Sequence, residues 1–324
     1  MANPLNFGIL GCARIARRTV ISAFGKTAAA NLLAIASRDR QTAAAWAGEF
    51  GIPRVYDSYA ALVADPDIDA VYIPLPNELH RPWTLAAAAA GKHVLCEKPL
   101  GLDTADAEAI VAGCQRHGVV LMEAFMWRHH PRVAHARRML AEGQLGELRL
   151  VKMDFSFDID RGDWRLDPLR GGGALFDIGC YGVNAARLFT NAEPREVFAR
   201  AHRHRSGVDM TMGISLQFPG DVLALLDCSF ECPPRNRIEL VGTLGSLEFP
   251  EGVLPPPESQ LIVRRASGTE IVEFPAADQY ALQLDAFCAA VASGHLSDPA
   301  EDGLANLRVL DAVRRAAQTA SLKP

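Results

Sequence analysis

The hydrophobic pattern divides the chain into two parts. Up to residue 124, short continuous apolar runs alternate with stretches whose apolar positions recur at helical spacing. Continuous apolar runs are typical of parallel strands that are covered on both faces of a sheet. Strands are predicted at residues 7–10, 32–37, 70–74, 93–96 and 119–123, and helices at residues 13–24, 41–50, 58–64, 80–90 and 104–117. This alternation predicts an α/β domain with a doubly wound parallel sheet.

After residue 124 the candidate strands alternate in polarity and are separated by Gly and Pro turns, which favours a large antiparallel sheet with one exposed or partner-covered face. Strands are predicted at residues 149–157, 196–204, 211–218, 222–231, 235–242, 246–249, 261–265 and 270–274, and helices at residues 131–142, 173–189, 279–292 and 300–320. We therefore predict an N-terminal Rossmann domain over residues 1–124 and a C-terminal α+β domain over residues 125–324 with a large, open, mainly antiparallel sheet.

Composition excludes several classes of function. The net charge of −5 offers no basic surface for nucleic acid or an anionic membrane. Seven cysteines without a Cys-x-x-Cys pair argue against a disulfide framework and a zinc ribbon, so no metal is expected. No signal peptide is recognised at the N-terminus, and the apolar runs are too short to span a bilayer. A cytoplasmic protein is expected.

A glycine turn follows the first predicted strand and begins the first helix. Residues 11–16 nearly match the pattern Gly-x-Gly-x-x-Gly/Ala, with Ala13 in place of the middle glycine. Such a turn presents backbone amides and a helix N-terminus to a pyrophosphate. The predicted dinucleotide contacts here are Gly11, Cys12, Ala13, Arg14 and Ile15.

The second predicted strand ends in Ser37-Arg38-Asp39. An acidic residue at this position binds the ribose hydroxyls of NAD, whereas a basic residue accommodates the 2′-phosphate of NADP. Ser37 and Arg38 occupy the position, and a guanidinium can also stack on adenine. Asp39 comes one residue later and is interpreted as the N-cap of the next helix, as are Ser58 and Asp103 for theirs. NADP is predicted in preference to NAD.

Two further turns follow predicted strands, at the sheet edge where open α/β folds bind ligands. The first contains Pro76 and Asn77, which are expected beside the nicotinamide ribose, and His80, which either contacts the cofactor or begins a helix. The second is Glu97-Lys98-Pro99, where the proline stiffens the turn that carries the lysine. Taken alone, Lys98 could equally be a surface lysine in a turn.

The segment at residues 171–184 begins with three glycines, which permit another backbone or a ligand to approach closely. It carries Asp177 and Tyr181 one helical turn apart, so that both side chains can lie on one face. The alternative interpretation is a helix-terminal aspartate and a core tyrosine.

Taken together, the glycine turn at residues 8–16, Glu97-Lys98-Pro99 and the segment at residues 171–184 resemble the motifs of the Gfo/Idh/MocA oxidoreductase family, over essentially the whole chain. Many members have histidine where this chain has Tyr181. With a tyrosine at this position, the chain resembles the branch of the family that contains NADP-linked xylose dehydrogenases, dimeric dihydrodiol dehydrogenases and glucose–fructose oxidoreductase. The resemblance implies hydride transfer between NADP and a hydroxyl- or carbonyl-bearing carbon of a sugar, cyclitol or dihydrodiol.

The resemblance also implies roles for individual residues. Lys98 would hydrogen-bond the reacting oxygen near the nicotinamide, Tyr181 would be the general acid/base, and Asp177 would orient the substrate or the lysine. Glu97 is placed with the cofactor contacts, although tying down the turn is the simpler role.

Two Trp-Arg pairs lie on loops that the topology places at the cleft. Trp164 and Arg165 are predicted cofactor contacts, and Trp127 and Arg128 are predicted substrate contacts, with packed rim tryptophans as the alternative.

Two other functions fit the same motifs. One is an NAD-dependent glycosidase of the same superfamily, and the other is a non-catalytic NAD(P)-binding regulatory protein.

The second predicted sheet has no cover within the chain, so a homodimer or a higher homo-oligomer, formed sheet to sheet, is expected.

Overall fold

The structure is a computed structural model that describes residues 3–294 and 300–319. The chain forms two compact units, one of Met1–His129 with Asp278–Leu304 and the other of His130–Ala277 with Ala305–Pro324. This grouping differs from the boundary predicted at residue 124, because the chain adds a late segment to the first unit before it rejoins the second. Within the described residues, no helix is both long enough and apolar enough to cross a membrane.

The first unit is built on a six-stranded parallel sheet. Its strands are β1 (Leu5–Leu10), β2 (Ala30–Ala36), β3 (Arg54–Tyr56), β4 (Ala70–Ile73), β5 (His93–Cys96) and β6 (Leu121–Glu123). The order β3-β2-β1-β4-β5-β6 reverses direction between β1 and β4, which confirms the predicted doubly wound sheet. Strand β3 has no counterpart among the predicted strands, because three residues are too few to give a hydrophobic pattern.

Helices follow these strands as predicted. They are a π-helical segment at Ala16–Val20 that continues into α1 (Ile21–Phe24), then α2 (Arg40–Phe50), α3 (Tyr59–Val63), α4 (His80–Ala89) and α5 (Thr104–His117). The side chains of Asp39, Ser58 and Asp103 accept amide hydrogen bonds at the starts of α2, α3 and α5, so the three predicted N-caps are correct.

The second unit contains an eight-stranded sheet. Its helices and strands are, in chain order, α6 (Pro131–Ala141), β7 (Leu148–Ser156), a π-helical segment at Leu175–Gly179 with α7 (Cys180–Thr190), β8 (Glu196–Arg203), β9 (Asp209–Gln217), β10 (Leu223–Ser229), β11 (Arg235–Gly242), β12 (Gly245–Phe249), β13 (Ser259–Arg265) and β14 (Gly268–Phe274). The strand order is β14-β13-β12-β11-β7-β10-β9-β8. Only β7 and β10 pair in parallel, so the sheet is mainly antiparallel, as predicted.

Two helices complete the chain, α8 (Gln279–Ser293) and α9 (Ala300–Thr319). The predicted end of the last helix, Ala320, lies outside the described residues. Helix α8 belongs to the first unit and brings Phe287 against Phe7 of β1, with ring centroids 5.5 Å apart. Phe24 of α1 contacts the same ring of Phe7 at 5.3 Å. The core of the first unit therefore depends on a helix that is distant in sequence.

One face of the eight-stranded sheet exposes apolar side chains. Phe198, Ser215 and Leu225 are cross-strand neighbours on β8, β9 and β10, and Lys152 of β7 continues the row. Phe198 is 61% exposed and Leu225 is 45% exposed. Ile271 of β14, at the other edge of the sheet, is 57% exposed.

Candidate active site

The turn after β1 requires a glycine. Gly11 has φ +104°, and a Cβ at this position would lie 2.7 Å from Cδ2 of Leu75. The Gly11 amide donates to the Ala36 carbonyl at 2.8 Å, which holds the turn at the end of β2. The chain becomes helical at Arg14, so a tight glycine turn leads directly into a helix. This arrangement fits the pyrophosphate of a dinucleotide.

The end of β2 presents Arg38 rather than a carboxylate. Arg38 is exposed. The Asp39 carboxylate is engaged by the Thr42 hydroxyl and by the Gln41 and Thr42 amides, which lower the pKa of Asp39. Ser37 accepts the Asp39 amide at 3.1 Å. The group offered at this position is therefore cationic, which fits a 2′-phosphate.

The turn after β4 carries Pro76 and Asn77 and leads into His80. His80 is fully buried, with Nε2 2.7 Å from the Leu75 carbonyl and Nδ1 2.8 Å from the Pro99 carbonyl. Burial lowers the pKa of His80, and the two carbonyl contacts oppose that shift. The imidazole thus joins the turns that follow β4 and β5, which favours the structural one of its two predicted roles.

The turn after β5 carries Lys98, and hydrogen bonds of the neighbouring Glu97 hold this turn in place. The hydroxyl of Tyr72, a residue buried in β4, donates to Oε1 of Glu97 at 2.6 Å. The Glu97 amide donates to the Ile73 carbonyl at 3.1 Å, and the Lys98–Pro99 peptide bond is cis. Lys98 is half-buried. The contacts of Glu97 fit a residue that fixes the turn beneath Lys98.

Tyr280 of α8 lies near the same turn and was not anticipated. The pKa of its phenol is raised to about 12, mainly by burial and further by Glu97, while a hydrogen bond with Thr19 and the charge of Lys98 oppose the shift. Tyr280 is far from Lys98 in sequence and carries no motif, so no local signal could have identified it.

Asp177 and Tyr181 lie in the second unit. Asp177 is within the π-helical segment, so the predicted continuous α-helix is widened at this residue. Tyr181 follows in the first turn of α7, where it is 6% exposed and contacts the Phe155 ring at 5.9 Å. π-Helical turns occur frequently at functional sites.

Arg165 is held by two carboxylates. Its Nε lies 2.9 Å from Oδ2 of Asp177, and its Nη1 lies 3.2 Å from Oδ1 of Asp163. Burial opposes the charge, but Asp177 and Asp163 together raise the pKa of the guanidinium. The structure thus brings together Arg165, a predicted cofactor contact, and Asp177, a predicted catalytic residue.

A buried carboxylate fixes the start of the helix that carries Asp177. Oδ2 of Asp209, in β9, accepts the Leu175 amide at 2.6 Å. Gly173 has φ +113°, and a Cβ there would lie 2.3 Å from Oδ1 of Asp209. Burial raises the pKa of Asp209, while the backbone amides, including that of Ala174, oppose the shift. The glycine predicted to permit a close approach is approached by this carboxylate.

The two Trp-Arg pairs differ in their surroundings. Trp164 has the guanidinium carbons of Arg165 and Arg170 at 5.1 Å and 5.2 Å from its ring centroid. Trp127 is 1% exposed, and Arg128 forms an ion pair with Asp302. Burial of Trp127 therefore fits the alternative of a packed tryptophan better than a side chain that contacts the substrate.

Within the described residues, no cluster of three or more His, Cys, Asp or Glu side chains could hold a metal ion.

The glycine turn after β1, the cationic Arg38 at the position that contacts the cofactor ribose, and Lys98 on the hydrogen-bonded turn after β5 together define the site of a nucleotide-dependent oxidoreductase. Two family models match the chain: the oxidoreductase family GFO/IDH/MocA with an NAD-binding Rossmann fold at residues 5–125, and the GFO/IDH/MocA C-terminal domain at residues 133–248. The chain belongs to the GFO/IDH/MocA family and is an NAD(P)-dependent oxidoreductase, which confirms the resemblance seen in the sequence.

Relatives of known activity match over nearly their full length. The chain is 39% identical to D-xylose 1-dehydrogenase (NADP(+)) 2 of Haloferax volcanii, covering 97% of each protein. It is 38% identical to the dTDP-3,4-didehydro-2,6-dideoxy-alpha-D-glucose 3-reductase of Actinomadura kijaniata, covering 98% of this chain and 97% of the relative.

Solved structures agree with these matches. The 3-ketoreductase KijD10 of Actinomadura kijaniata, in complex with NADP and TDP-benzene, has a TM-score of 0.92 at 37% identity and covers 97% of this chain and 98% of its own. The aldose-aldose oxidoreductase of Caulobacter crescentus has a TM-score of 0.91 at 32% identity, with the same coverage. Three single variants of KijD10 have also been solved: two in which one lysine is replaced, by alanine or by glutamate, and one in which a tyrosine is replaced by phenylalanine.

Proposed function

We propose that the protein transfers a hydride between NADP and a carbon that bears the hydroxyl or carbonyl group of a sugar or a related polyol. The observation that carries this proposal is the turn at Lys98, which hydrogen bonds from Tyr72 and His80 hold at the carboxyl ends of β4 and β5. This is the sheet edge that also carries the glycine turn and Arg38. NADP is preferred because Arg38 stands at the end of β2 while Asp39 is engaged in capping α2.

The first unit supplies the proposed cofactor contacts. The glycine turn from Gly11 to Ile15 would hold the pyrophosphate, with Ser37 and Arg38 at the 2′-phosphate and Pro76 and Asn77 at the nicotinamide ribose. Trp164 and Arg165 of the second unit remain proposed cofactor contacts. When bound, NADP supplies or accepts the hydride.

The residues of this chain supply the proton chemistry. Lys98 donates a hydrogen bond to the reacting oxygen and stabilises the negative charge that develops on it. Tyr181 gives or takes the hydroxyl proton as general acid/base. A phenol titrates near ~10 in water, so this role requires a nearby cation that favours the phenolate. Asp177, fixed by Arg165, orients the substrate.

The relatives support a sugar-like substrate. They are named for D-xylose, for a dTDP-linked deoxyketosugar and for trans-1,2-dihydrobenzene-1,2-diol. These substrates share a carbon at which a hydroxyl and a carbonyl interconvert. We propose the free-sugar class, with nucleotide-linked ketosugars and dihydrodiols as competing members of the test.

The test is a spectrophotometric screen of the purified protein. Aldoses, cyclitols, dihydrodiols and a chromogenic glycoside are offered with NADP or NAD, and a dTDP-linked ketosugar is offered with NADPH or NADH. Stoichiometric change at 340 nm with one substrate class supports the proposal. Absence of any net change with all classes contradicts it, and release of a glycoside's leaving group without net change would indicate a glycosidase.

The open sheet face supports a proposed homo-oligomer. Phe198, Leu225 and Ile271 are exposed on this face, in a row that also contains the charged Lys152, and large exposed apolar side chains favour burial against a second copy. Light scattering at assay concentrations measures the mass, and a monomer would contradict this proposal without affecting the proposed activity.

A further inference from the structure

We propose that two copies of the chain stack their open sheet faces about a twofold axis that runs parallel to the strands, between β7 and β11. This inference rests on the proposed homo-oligomer. It adds the orientation of the second copy and the side chains that face each other across the interface, which are charged as well as apolar.

The open face carries charge at the middle of the sheet, where β7 and β11 are neighbours. Side chains alternate between the two faces of a strand. Val151 and Met153 of β7 are buried, whereas Leu150, Lys152 and Asp154 are half-buried and therefore point to the open face.

Strand β11 presents a complementary set on the same face. The pairs that lie opposite each other on the two strands are Leu150 with Val241, Lys152 with Glu239, and Asp154 with Arg237. Nζ of Lys152 lies 3.3 Å from Oε2 of Glu239, and Nε of Arg237 lies 3.6 Å from Oδ1 of Asp154. Each residue of β7 is thus matched on β11 by a residue of the same polarity or of opposite charge.

A twofold axis can convert these pairs into contacts between copies. Sheets that pack face to face with aligned strands lie about 10 Å apart, a separation that two long side chains can span together. An axis along the strands, between β7 and β11, places β7 of one copy over β11 of the other. Lys152 then meets Glu239 of the second copy, and Leu150 meets Val241 of the second copy. Each contact occurs twice by symmetry.

The alternative axis runs across the strands, so that each strand faces itself. At the level of Met153, such an axis opposes Lys152 to Asp154 and Arg237 to Glu239 of the second copy. Unlike charges also meet in this arrangement, so the central charges alone do not choose between the two axes.

The edges of the sheet favour the axis along the strands. Phe198 of β8 and Ile271 of β14 end the same row of opposed residues and are 61% and 57% exposed. This axis places Phe198 over Ile271 of the second copy, and it places Arg200 over Glu273 two residues further along those strands. The axis across the strands would instead set Phe198 against Arg200 and Ile271 against Glu273. Apolar side chains therefore meet apolar ones, at the centre and at the edges, when the axis follows the strands.

The test is the assortment of two charge-reversal variants. Lys152→Glu makes both facing positions acidic, and Glu239→Lys makes both basic. A dimer of either variant alone opposes like charges twice, so we expect its dissociation constant to rise at least about tenfold. In a mixture of the two variants each acidic position faces a basic one. Mixed dimers should then exceed the share of about one half that random assortment of two kinds of chain gives. An affinity tag on one variant lets native mass spectrometry count them.

A second mixture distinguishes the two axes. For Lys152→Glu with Asp154→Lys, an axis along the strands gives mixed and unmixed dimers equal numbers of like-charge contacts, so random assortment is expected. An axis across the strands would instead make the mixed dimer the favoured one.

A matched control uses the exposed pair of Arg17 and Glu49 in the first unit, 2.8 Å apart. Arg17→Glu and Glu49→Arg should keep the dissociation constant of the wild type and assort at random. Circular dichroism and thermal unfolding verify that every variant is folded.

Random assortment of Lys152→Glu with Glu239→Lys would overturn the inference, while a dimeric wild type would keep the proposed homo-oligomer. Preferential pairing of Lys152→Glu with Asp154→Lys would also overturn it, in favour of the axis across the strands. A monomeric wild type would remove the proposed homo-oligomer and the axis together, and the proposed hydride transfer would be unaffected.

Discussion

The carboxylate of Asp209 accepts the backbone amide of Leu175 at 2.6 Å, across 34 residues of chain. The bond ties strand β9 to the start of the helix that carries Asp177 and Tyr181. Its acceptor is buried and its donor is at a helix start, where amides lack intrahelical partners. The position of two proposed catalytic residues therefore depends on a residue outside every recognised motif.

Replacing Asp209 with asparagine should test this dependence. The amide nitrogen of Asn would face backbone donors in a buried site, so we expect the free energy of unfolding to fall by about 1–3 kcal/mol. We also expect kcat to fall while NADPH binding is retained. Thermal unfolding and cofactor titration measure these effects, with Asp221→Asn as an exposed control. Unaltered stability and kcat would show that the Asp209 carboxylate is dispensable.

The Arg165–Asp177 pair should behave as a unit. Arg165→Lys keeps the charge but loses the planar fork that reaches Asp177 and Asp163, so kcat/KM should fall about tenfold or more. Arg161→Lys, on the same loop and paired with exposed Asp158, should have little effect. A double-mutant cycle with Asp177→Asn should be strongly non-additive. Simple additivity would mean that the two side chains act independently.

Lys98→Ala should separate chemistry from cofactor binding. Loss of a hydrogen-bond donor at the reacting oxygen lowers kcat by about 10²- to 10³-fold. The pyrophosphate turn and Arg38 are untouched, so the dissociation constant of NADPH should change little. Lys26→Ala, at an exposed ion pair with Asp278, is the control. Wild-type turnover by Lys98→Ala would remove Lys98 from the proposed site.

His130 should make the protein sensitive to acid. It caps α6 by accepting the Arg132 amide at 3.2 Å, which requires an unprotonated Nδ1. Burial, assisted by the charge of Arg132, lowers the pKa of His130 from 6.5 to about 4. As pH falls, the unfolded chain is protonated first, so this stabilisation is complete above pH 6.5 and is lost towards pH 4.

His130→Asn should reduce that loss, because asparagine is a good N-cap that does not titrate. Between pH 7 and 4 the wild type should lose up to about 3 kcal/mol more than the variant, since each pKa unit corresponds to about 1.4 kcal/mol. Urea unfolding across this pH range measures the difference. His117→Asn, exposed at the end of α5, should follow the wild type, and parallel curves for wild type and His130→Asn would refute the assignment.

Sequence periodicity predicted most of the fold because its signals are local. Asp39 and Gly11 reveal their roles through immediate neighbours, as a cap and as a turn. Asp209 could not be recognised in this way, since it acts through a partner brought near only by folding. His80 was ambiguous for the same reason: two carbonyls, one of them 19 residues away, decide its surroundings. The widening of the helix at Asp177 likewise has no signature in the spacing of residues.

The excursion of the chain through α8 has a consequence for biosynthesis. Phe287 is fully buried against Phe7, so the nucleotide-binding unit lacks part of its core until α8 has been made. The intervening unit is translated in between. Although domains generally fold in the order of their synthesis, the first unit of this enzyme cannot complete its core until the second unit's strands and then α8 have been translated.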